Sequence, residues 1–141
     1  MRLLLDTNFI VSFILPNDEL HERAKKLELE QNITSNNKCY ISNQILTEII
    51  NILGQKDSVE IAKNTYDMLN DNFTIINEYE IQKFNDYVFN NYQLLNKNFK
   101  KHKLGFTDCS IITLAELYNM DAIVTFDKDF LKNKKVKIIN G

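Results

Sequence analysis

Short apolar runs of β-forming residues alternate along this chain with longer segments that have the spacing of amphipathic helices. The five runs end near Leu5, Ser42, Asn77, Thr125 and Asn140. Strands separated by helix-length segments are joined as parallel crossovers, so the pattern predicts an α/β fold with a doubly wound parallel sheet. A chain of 141 residues with 44% hydrophobic content is expected to form one domain over residues 1–141.

Capping residues and apolar spacing set the expected helix boundaries. Ser42 is a predicted N-cap for a helix that ends at Gly54. The other predicted helices occupy 18–31, a segment from Asp57 or Ser58 through Leu69, about 80–95, and a segment capped by Thr107.

Composition excludes several classes of protein. Cys39 and Cys109 form no CxxC motif, which argues against a disulfide framework and a zinc knuckle. The three glycines are too scattered for a P-loop or a GxGxxG fingerprint. A net charge of -2 argues against tight, indiscriminate nucleic-acid binding and still allows a local basic rim. No leader pattern and no run long enough to cross a bilayer is present, which predicts a cytoplasmic protein with no membrane partner.

The first strand run is followed directly by a carboxylate. Leu3, Leu4 and Leu5 predict a strand buried on both faces, and Asp6 comes next. Asp6 can cap a helix that begins at Asn8 by accepting hydrogen bonds from free N–H groups. Open α/β sheets also bind ligands beyond the carboxyl ends of their strands, so the position equally suits catalysis. Taken alone, Asp6 leaves both roles open.

Further acids occupy equivalent places along the chain. Glu48 borders the apolar stripe of its helix, and Asp108 lies in the first turn of another helix, on that helix's apolar face. Asp127 and Asp129 follow the buried strand that ends at Val124. Each has an ordinary explanation in surface packing, the helix dipole or turn capping. Together with Asp6, they are better explained by one shared site.

The chemistry of such a site follows from its charges. Converging carboxylates repel one another and are usually tolerated because a hard divalent cation neutralises them. Oxygen-only ligands favour Mg²⁺ or Mn²⁺ over zinc, and neither His21 nor His102 has the spacing of a ligand. A cation of this kind orients a phosphate, activates water and stabilises the leaving oxygen. The pattern therefore predicts hydrolysis of phosphodiester bonds.

Three motifs, taken in order, resemble the PIN-domain family and within it the small VapC-type toxin ribonucleases. They are "LLLDTN", "LTEI" and "FTDCSIITLAELYNMDAIVTFDKDF". The resemblance covers essentially the whole chain and implies a single-domain three-layer α/β/α sandwich with a five-stranded parallel sheet. It also implies Mg²⁺- or Mn²⁺-dependent endoribonuclease cleavage that leaves a 5′-phosphate and a 3′-hydroxyl.

The same resemblance assigns roles to residues. It places four acids in the catalytic and metal-binding set: Asp6, Glu48, Asp108 and Asp127. Asn8 and Thr125 match polar positions that hold the carboxylates and water in place. Asp129 is close enough in sequence to share or replace the role of Asp127.

The implied partners are RNA, a second copy of the chain and an antitoxin. A toxin of a type II toxin–antitoxin pair would form a homodimer and be silenced by a cognate antitoxin that inserts a segment into the acidic groove. The segment 96–104 is unusually basic, and Lys100, Lys101 and Lys103 are expected to guide RNA phosphates to the acids. A solvated loop is the ordinary explanation for such a charge run.

Other functions remain as alternatives. A PIN-type nuclease of RNA processing, or one that cuts DNA or a particular structure, would use the same acids, and a degenerate fold would only bind partners. A receiver-like Mg²⁺-binding signalling domain would show an acid pair after the first strand and an acid after the middle strand. The chain has Asp6 alone and Asn77 at those places. A dehalogenase-type phosphatase would need an aspartate where Asn8 stands.

Overall fold

Five parallel strands form one sheet in the computed structural model, which describes residues 1–98 and 104–141. The strands are β1 (Arg2–Leu5), β2 (Lys38–Ser42), β3 (Thr74–Ile76), β4 (Ala122–Val124) and β5 (Lys137–Ile139). Their order across the sheet is β3-β2-β1-β4-β5, and every neighbouring pair is parallel. The predicted α/β fold with a five-stranded parallel sheet is confirmed. Lys100, Lys101 and Lys103 lie outside the described residues.

Helices connect the strands on both faces of the sheet. Those described are α1 (Thr7–Ile14), α2 (His21–Gln31), α3 (Asn43–Lys56), α4 (Val59–Asn72), α5 (Phe84–Leu95) and α6 (Phe106–Leu117). Helix α1 packs against α2 and α3, α3 packs against α4, and α5 packs against α6. Because right-handed crossovers run one way from β1 to β3 and back toward β5, the two groups cover opposite faces. In the part of the chain that the structure describes, no helix is long and apolar enough to span a bilayer.

Two predicted helix starts are confirmed by side-chain caps. The Ser42 hydroxyl accepts a hydrogen bond from the Ile45 N–H at 3.1 Å. The Ser58 hydroxyl does the same for the Ile61 N–H at 3.1 Å. A serine oxygen placed before a helix satisfies an N–H that has no partner in the first turn.

Other predicted boundaries are wrong by a few residues. Helix α3 continues past Gly54 to Lys56, since the glycine keeps helical backbone angles. Helix α2 begins at His21 rather than 18, because the Asp18 carboxylate bonds the Leu20 N–H in a turn.

Two starts near the acids also differ from the prediction. The segment Glu78–Glu80 forms a separate 3-10 turn, so α5 begins only at Phe84. The N-cap of α6 is Gly105, and Thr107 lies inside the helix. Asp108 thereby becomes the third residue of α6, with its carboxylate directed back at the helix start.

The central strand β1 determines where a site can form. Leu3, Leu4 and Leu5 are fully buried between β2 and β4. The chain leaves β1 toward β2 on one side and later returns to β4 on the other, so the crossover direction reverses beside β1. A crevice opens at such a reversal, at the edge where the strands end, which we call the carboxyl edge.

Candidate active site

Asp6 lies at the carboxyl edge, directly after β1. Its backbone N–H donates to the Val124 carbonyl at 2.9 Å and so continues the β1–β4 ladder. Its Oδ1 accepts a hydrogen bond from the Thr7 N–H at 2.8 Å, which caps α1. The capping role is therefore confirmed, and it leaves the carboxylate at the reversal point of the sheet. The helix starts one residue earlier than predicted, at Thr7 rather than Asn8.

The Thr125 hydroxyl connects the two chain segments on either side of this reversal. It donates to Asp6 Oδ2 at 2.8 Å and accepts from the Asn8 side-chain amide at 3.2 Å and the Asp127 N–H at 3.1 Å. A hydroxyl has one donor and two acceptor positions, so all three are used. Asn8 Oδ1 also accepts from the Phe126 N–H at 3.1 Å. Asn8 and Thr125 thus hold Asp6 and the backbone of Asp127 in a fixed relation.

Glu48 comes to the same place from α3. The Thr7 hydroxyl donates to Glu48 Oε2 at 2.6 Å, which ties the start of α1 to the second turn of α3. The glutamate side chain is exposed to solvent, while Thr7 is buried. Glu48 therefore faces the open side of the cluster.

Asp108 completes the cluster from the first turn of α6. Its Oδ2 accepts a hydrogen bond from the Gly105 N–H at 3.3 Å, as in a capping box. A Cβ atom at residue 105 would stand 3.4 Å from that oxygen, so the glycine leaves the carboxylate room. Asp108 is half-buried, which agrees with its predicted place on the apolar face.

Asp127 and Asp129 take different local roles. The Asp127 Oδ1 accepts the Asp129 N–H at 2.9 Å and caps a 3-10 turn over Lys128–Lys132. The Asp129 carboxylate pairs with Lys132 at 3.2 Å, and 47% of its side chain is exposed. The charge of Asp127 raises the pKa of both Asp6 and Asp108, whereas the charge of Asp129 contributes to the rise at Asp108 and not to that at Asp6. Of the two aspartates, Asp127 is the more central.

The carboxylates of this cluster destabilise one another's charged forms. Burial raises the pKa of Asp6, hydrogen bonds from Thr125 and Thr7 oppose that rise, and repulsion from the neighbouring acids adds to it. Burial raises the pKa of Asp108 to about 6, with further contributions from the charges of Asp127, Asp6 and Asp129. The four acids Asp6, Glu48, Asp108 and Asp127, which we call the acidic rim, form one electrostatically connected set.

The donor atoms of the acidic rim suit a hard cation in type. Glu48 Oε1, Asp108 Oδ1 and Asp127 Oδ2 accept no hydrogen bond within the described residues. Carboxylate oxygens of this kind are the ligands that Mg²⁺ and Mn²⁺ prefer. Over residues 1–98 and 104–141, however, no group of three or more Asp, Glu, His or Cys side chains is arranged to hold a metal ion as it stands.

A cavity of about 530 Å³ opens from Asp6 along the outer side of α1. It is bounded by Thr7 and Asn8, by the loop around Asp18, and by Lys56 in the last turn of α3. Its size lies within the range of about 300–1,000 Å³ that small-molecule sites occupy. Of the four acids of the rim, Asp6 lines this cavity and is reached from solvent through it.

One functional contact was absent from the sequence prediction. The sequence pattern gives Thr7 no role beyond its place in a motif, yet its hydroxyl links the start of α1 to Glu48. The signal for it was the run of three polar residues that follows three leucines. Its partner, 41 positions away in the chain, could not be read from that run.

Comparison with known proteins places this geometry in context. A family model described as PIN domain matches residues 3–136. No curated protein sequence matches the chain.

Several solved structures share the fold across nearly the whole chain. Mycobacterium tuberculosis VapC20, described as a Sarcin-Ricin loop cleaving toxin, is 16% identical with a TM-score of 0.74, covering 96% of this chain and 97% of that one. VapBC-1 from nontypeable Haemophilus influenzae is 18% identical with a TM-score of 0.72, covering 99% and 98%. VapBC2 from Rickettsia felis, bound to a fragment of promoter DNA, is 21% identical with a TM-score of 0.70, covering 99% and 98%.

Proposed function

This chain belongs to the PIN domain family, and we propose that it is a metal-dependent endoribonuclease that hydrolyses RNA phosphodiester bonds at the acidic rim. The observation that carries the proposal is the convergence of Asp6, Asp108 and Asp127 on one another at the reversal point of the sheet. Like charges that repel one another need a reason to be kept together, and a bound cation supplies one.

The four acids of the rim would hold Mg²⁺ or Mn²⁺. When bound, such an ion orients the phosphate, makes a water molecule more nucleophilic and stabilises the leaving oxygen. The chain's own contribution is to position the acids. Thr125 and Thr7 fix both oxygens of Asp6, and Gly105 holds one oxygen of Asp108. Carboxylates fixed in advance need little reorganisation when the substrate arrives.

The biological setting that we propose is a type II toxin–antitoxin pair. Support comes from the fold shared with a protein described as a toxin and with several described as VapBC complexes. The chain would then form a homodimer and would be inhibited by a cognate antitoxin.

The RNA would be guided by the basic segment that precedes α6. Changing Lys100, Lys101 and Lys103 to glutamine is expected to weaken RNA binding and flatten its dependence on salt, since each phosphate contact releases counterions. An unchanged salt slope would contradict this part of the proposal.

The experiment that tests the function is cleavage of a mixed pool of structured and single-stranded RNA. The purified chain is assayed with Mn²⁺, with EDTA, and as the Asp108→Asn variant. Cutting that needs Mn²⁺ and is lost in the variant supports the proposal. Equal cutting in all three samples indicates a contaminant, and no cutting in any of them contradicts general ribonuclease activity.

A further inference from the structure

A second cavity of about 510 Å³ lies at the carboxyl edge, away from Asp6. It is enclosed by the N-terminal ends of α3 and α6, by the 3-10 turn after β3, and by the start of α5. Its lining includes the aromatic side chains of Tyr79, Phe84 and Phe106 and the uncharged polar side chains of Gln44, Asn85 and Thr107. Helices that cross back over a parallel sheet begin at the carboxyl edge, so this cavity shares that edge with the acidic rim.

One wall of this cavity is anchored by a buried carboxylate. Glu78 is only 4% exposed, and its two oxygens accept hydrogen bonds from the N–H groups of Asn43 at 3.0 Å and Gln44 at 3.2 Å. Asn77 Oδ1 also accepts the Tyr79 N–H at 3.2 Å. Tyr79, next to Glu78, therefore stands on a turn that is fixed to the start of α3, although 73% of its surface is exposed.

Four polar side chains around the cavity are unpaired within the described residues. The side-chain amides of Gln44 and Asn85 and the hydroxyls of Tyr79 and Thr107 make no hydrogen bond within the described residues. An amide both donates and accepts, which is the pattern needed to pair with the edge of a base. Exposed aromatic rings provide a surface for stacking an unpaired base. The lining thus combines the two elements by which proteins recognise single-stranded RNA.

The cavity adjoins the acidic rim on two sides. Gln44 is one helical turn before Glu48 on α3, and residues four apart lie on the same helix face. Thr107 directly precedes Asp108 at the start of α6. An RNA strand bound across the acidic rim would therefore pass close to the mouth of the cavity.

The backbone at the outer wall is also unusual. Lys83, which lines the cavity, has a φ of 58°, in the left-handed region that non-glycine residues rarely adopt. Conformations of this kind tend to be kept at binding sites. Lys83 and Asp86 both line the cavity, while the carboxylate of Glu78 accepts hydrogen bonds from the two N–H groups.

We propose that this cavity binds the base of an RNA nucleotide next to the scissile phosphate and thereby sets the sequence preference of cleavage. The base stacks on Tyr79, and its edge is read by Gln44 and Asn85. This inference rests on the proposed ribonuclease function and extends it from chemistry to substrate choice.

The test is to sequence the cleavage products of a randomised single-stranded RNA pool. The wild-type chain is compared with Tyr79→Ala, Tyr79→Phe, Gln44→Ala and Asn85→Ala. Tyr79→Ala is expected to lower kcat/KM about 5- to 100-fold on the preferred sequence, which corresponds to the loss of one stacked base. Gln44→Ala and Asn85→Ala are expected to relax the preference at a single position beside the cut, and Tyr79→Phe to retain it.

Tyr66 offers a matched control. It is an exposed tyrosine on α4, away from the cavity, with 40% of its surface accessible. Tyr66→Ala should keep both the rate and the preference of the wild type. If Tyr79→Ala and Gln44→Ala also keep the wild-type preference, or if they lower cleavage of all sequences equally, the inference is overturned.

A binding experiment separates this inference from the proposed function. AMP, CMP, GMP and UMP are titrated into the Asp108→Asn variant, and the amide resonances of residues 78–85 are followed by NMR. Base-dependent shifts that disappear in Asp108→Asn/Tyr79→Ala support a base site, even where no cleavage is detected. An absence of shifts with all four nucleotides overturns the inference, including when the wild type proves to be a nuclease.

Discussion

Charged groups have complementary partners at one edge of the sheet and like-charged neighbours at the other. We call the edge where the strands begin the amino edge. At the amino edge, the Arg2 guanidinium donates to the Tyr40 hydroxyl and the Tyr118 carbonyl, each at 2.7 Å, and lies over the Tyr40 ring. The Arg2 N–H donates to Asp121 Oδ2 at 2.7 Å. At the carboxyl edge, burial and the charges of neighbouring carboxylates raise the pKa values of Asp6 and Asp108.

The contrast separates interactions that stabilise the fold from those that cost it stability. A partly buried arginine with complementary partners contributes to folding, since an intramolecular hydrogen bond is typically worth about 0.5–1.5 kcal/mol. Carboxylates held together oppose folding until something neutralises them. We therefore place the proposed function at the carboxyl edge, where the carboxylates lower the stability of the fold.

The largest expected effect is loss of cleavage on neutralising the carboxyl edge. Asp6→Asn and Asp108→Asn are each expected to lower Mn²⁺-dependent cleavage at least about 100-fold, because asparagine keeps the size of the side chain and loses its charge. Rates are measured on the RNA pool with circular dichroism as a check on folding. A well-folded Asp108→Asn variant that cuts at the wild-type rate would remove Asp108 from the site.

The next effect concerns the hydroxyl that joins the two sides of the crevice. Thr125→Val keeps the shape of the buried side chain but leaves Asp6, Asn8 and the Asp127 N–H without their shared partner. We expect cleavage to fall about 10-fold and the free energy of unfolding to fall by about 1–3 kcal/mol. Thr125→Ser, which retains the hydroxyl, is the control and should keep most of both.

A smaller effect is a gain in stability when the charge of Asp108 is removed. Burial raises the pKa of Asp108 to about 6 in the folded chain, from an ordinary value of 3.8, so the folded state holds the proton more tightly. The contribution of Asp108 to stability is therefore fully present below about pH 4, and it is lost as the pH rises through 6. In EDTA at pH 8, Asp108→Asn is expected to raise the free energy of unfolding by about 1–2 kcal/mol, after allowance for partial exposure.

Denaturant unfolding at several pH values checks that sign. The difference between Asp108→Asn and wild type should shrink as the pH falls from 8 to 4. A variant that is less stable than wild type at pH 8 would mean that the carboxylates of the acidic rim do not repel one another as described.

The smallest effect is expected at the amino edge. Tyr40→Phe removes the acceptor for the Arg2 guanidinium and should lower the free energy of unfolding by about 0.5–1.5 kcal/mol. Cleavage should stay at the wild-type rate, since the Tyr40 hydroxyl contacts Arg2 at the start of β1, at the opposite end of that strand from Asp6. A clear loss of activity in a fully folded Tyr40→Phe variant would break the division of roles between the edges.

Much of the fold could be predicted because its signals are local. An all-leucine run gives a doubly buried strand, and Ser42 and Ser58 cap the helices that follow them. The starts of α5 and α6 differ from the prediction because these helices begin where partners distant in sequence, or backbone groups, allow. Glu78 bonds N–H groups 35 and 34 positions away, and Gly105 has no side-chain oxygen to mark it as a cap.

The candidate site shows the same limit. The positions of Asp6, Asp108 and Asp127 after strands or at a helix start could be read from the sequence, and family resemblance supplied their proposed roles. The contact between Thr125 and Asp6 joins residues 119 positions apart, so only the folded chain reveals it. The assignments of metal ligands, homodimer and antitoxin remain predictions.

The double role of Asp6 limits how the chain could change over evolutionary time. Because its carboxylate caps α1 as well as belonging to the acidic rim, a descendant without the proposed activity would still need a capping side chain there. Asn, Ser or Thr at that position would meet the need, whereas Glu48, which is exposed, would be free to drift widely. An inactive relative would therefore have an uncharged polar residue at this position, and its first helix would still begin there.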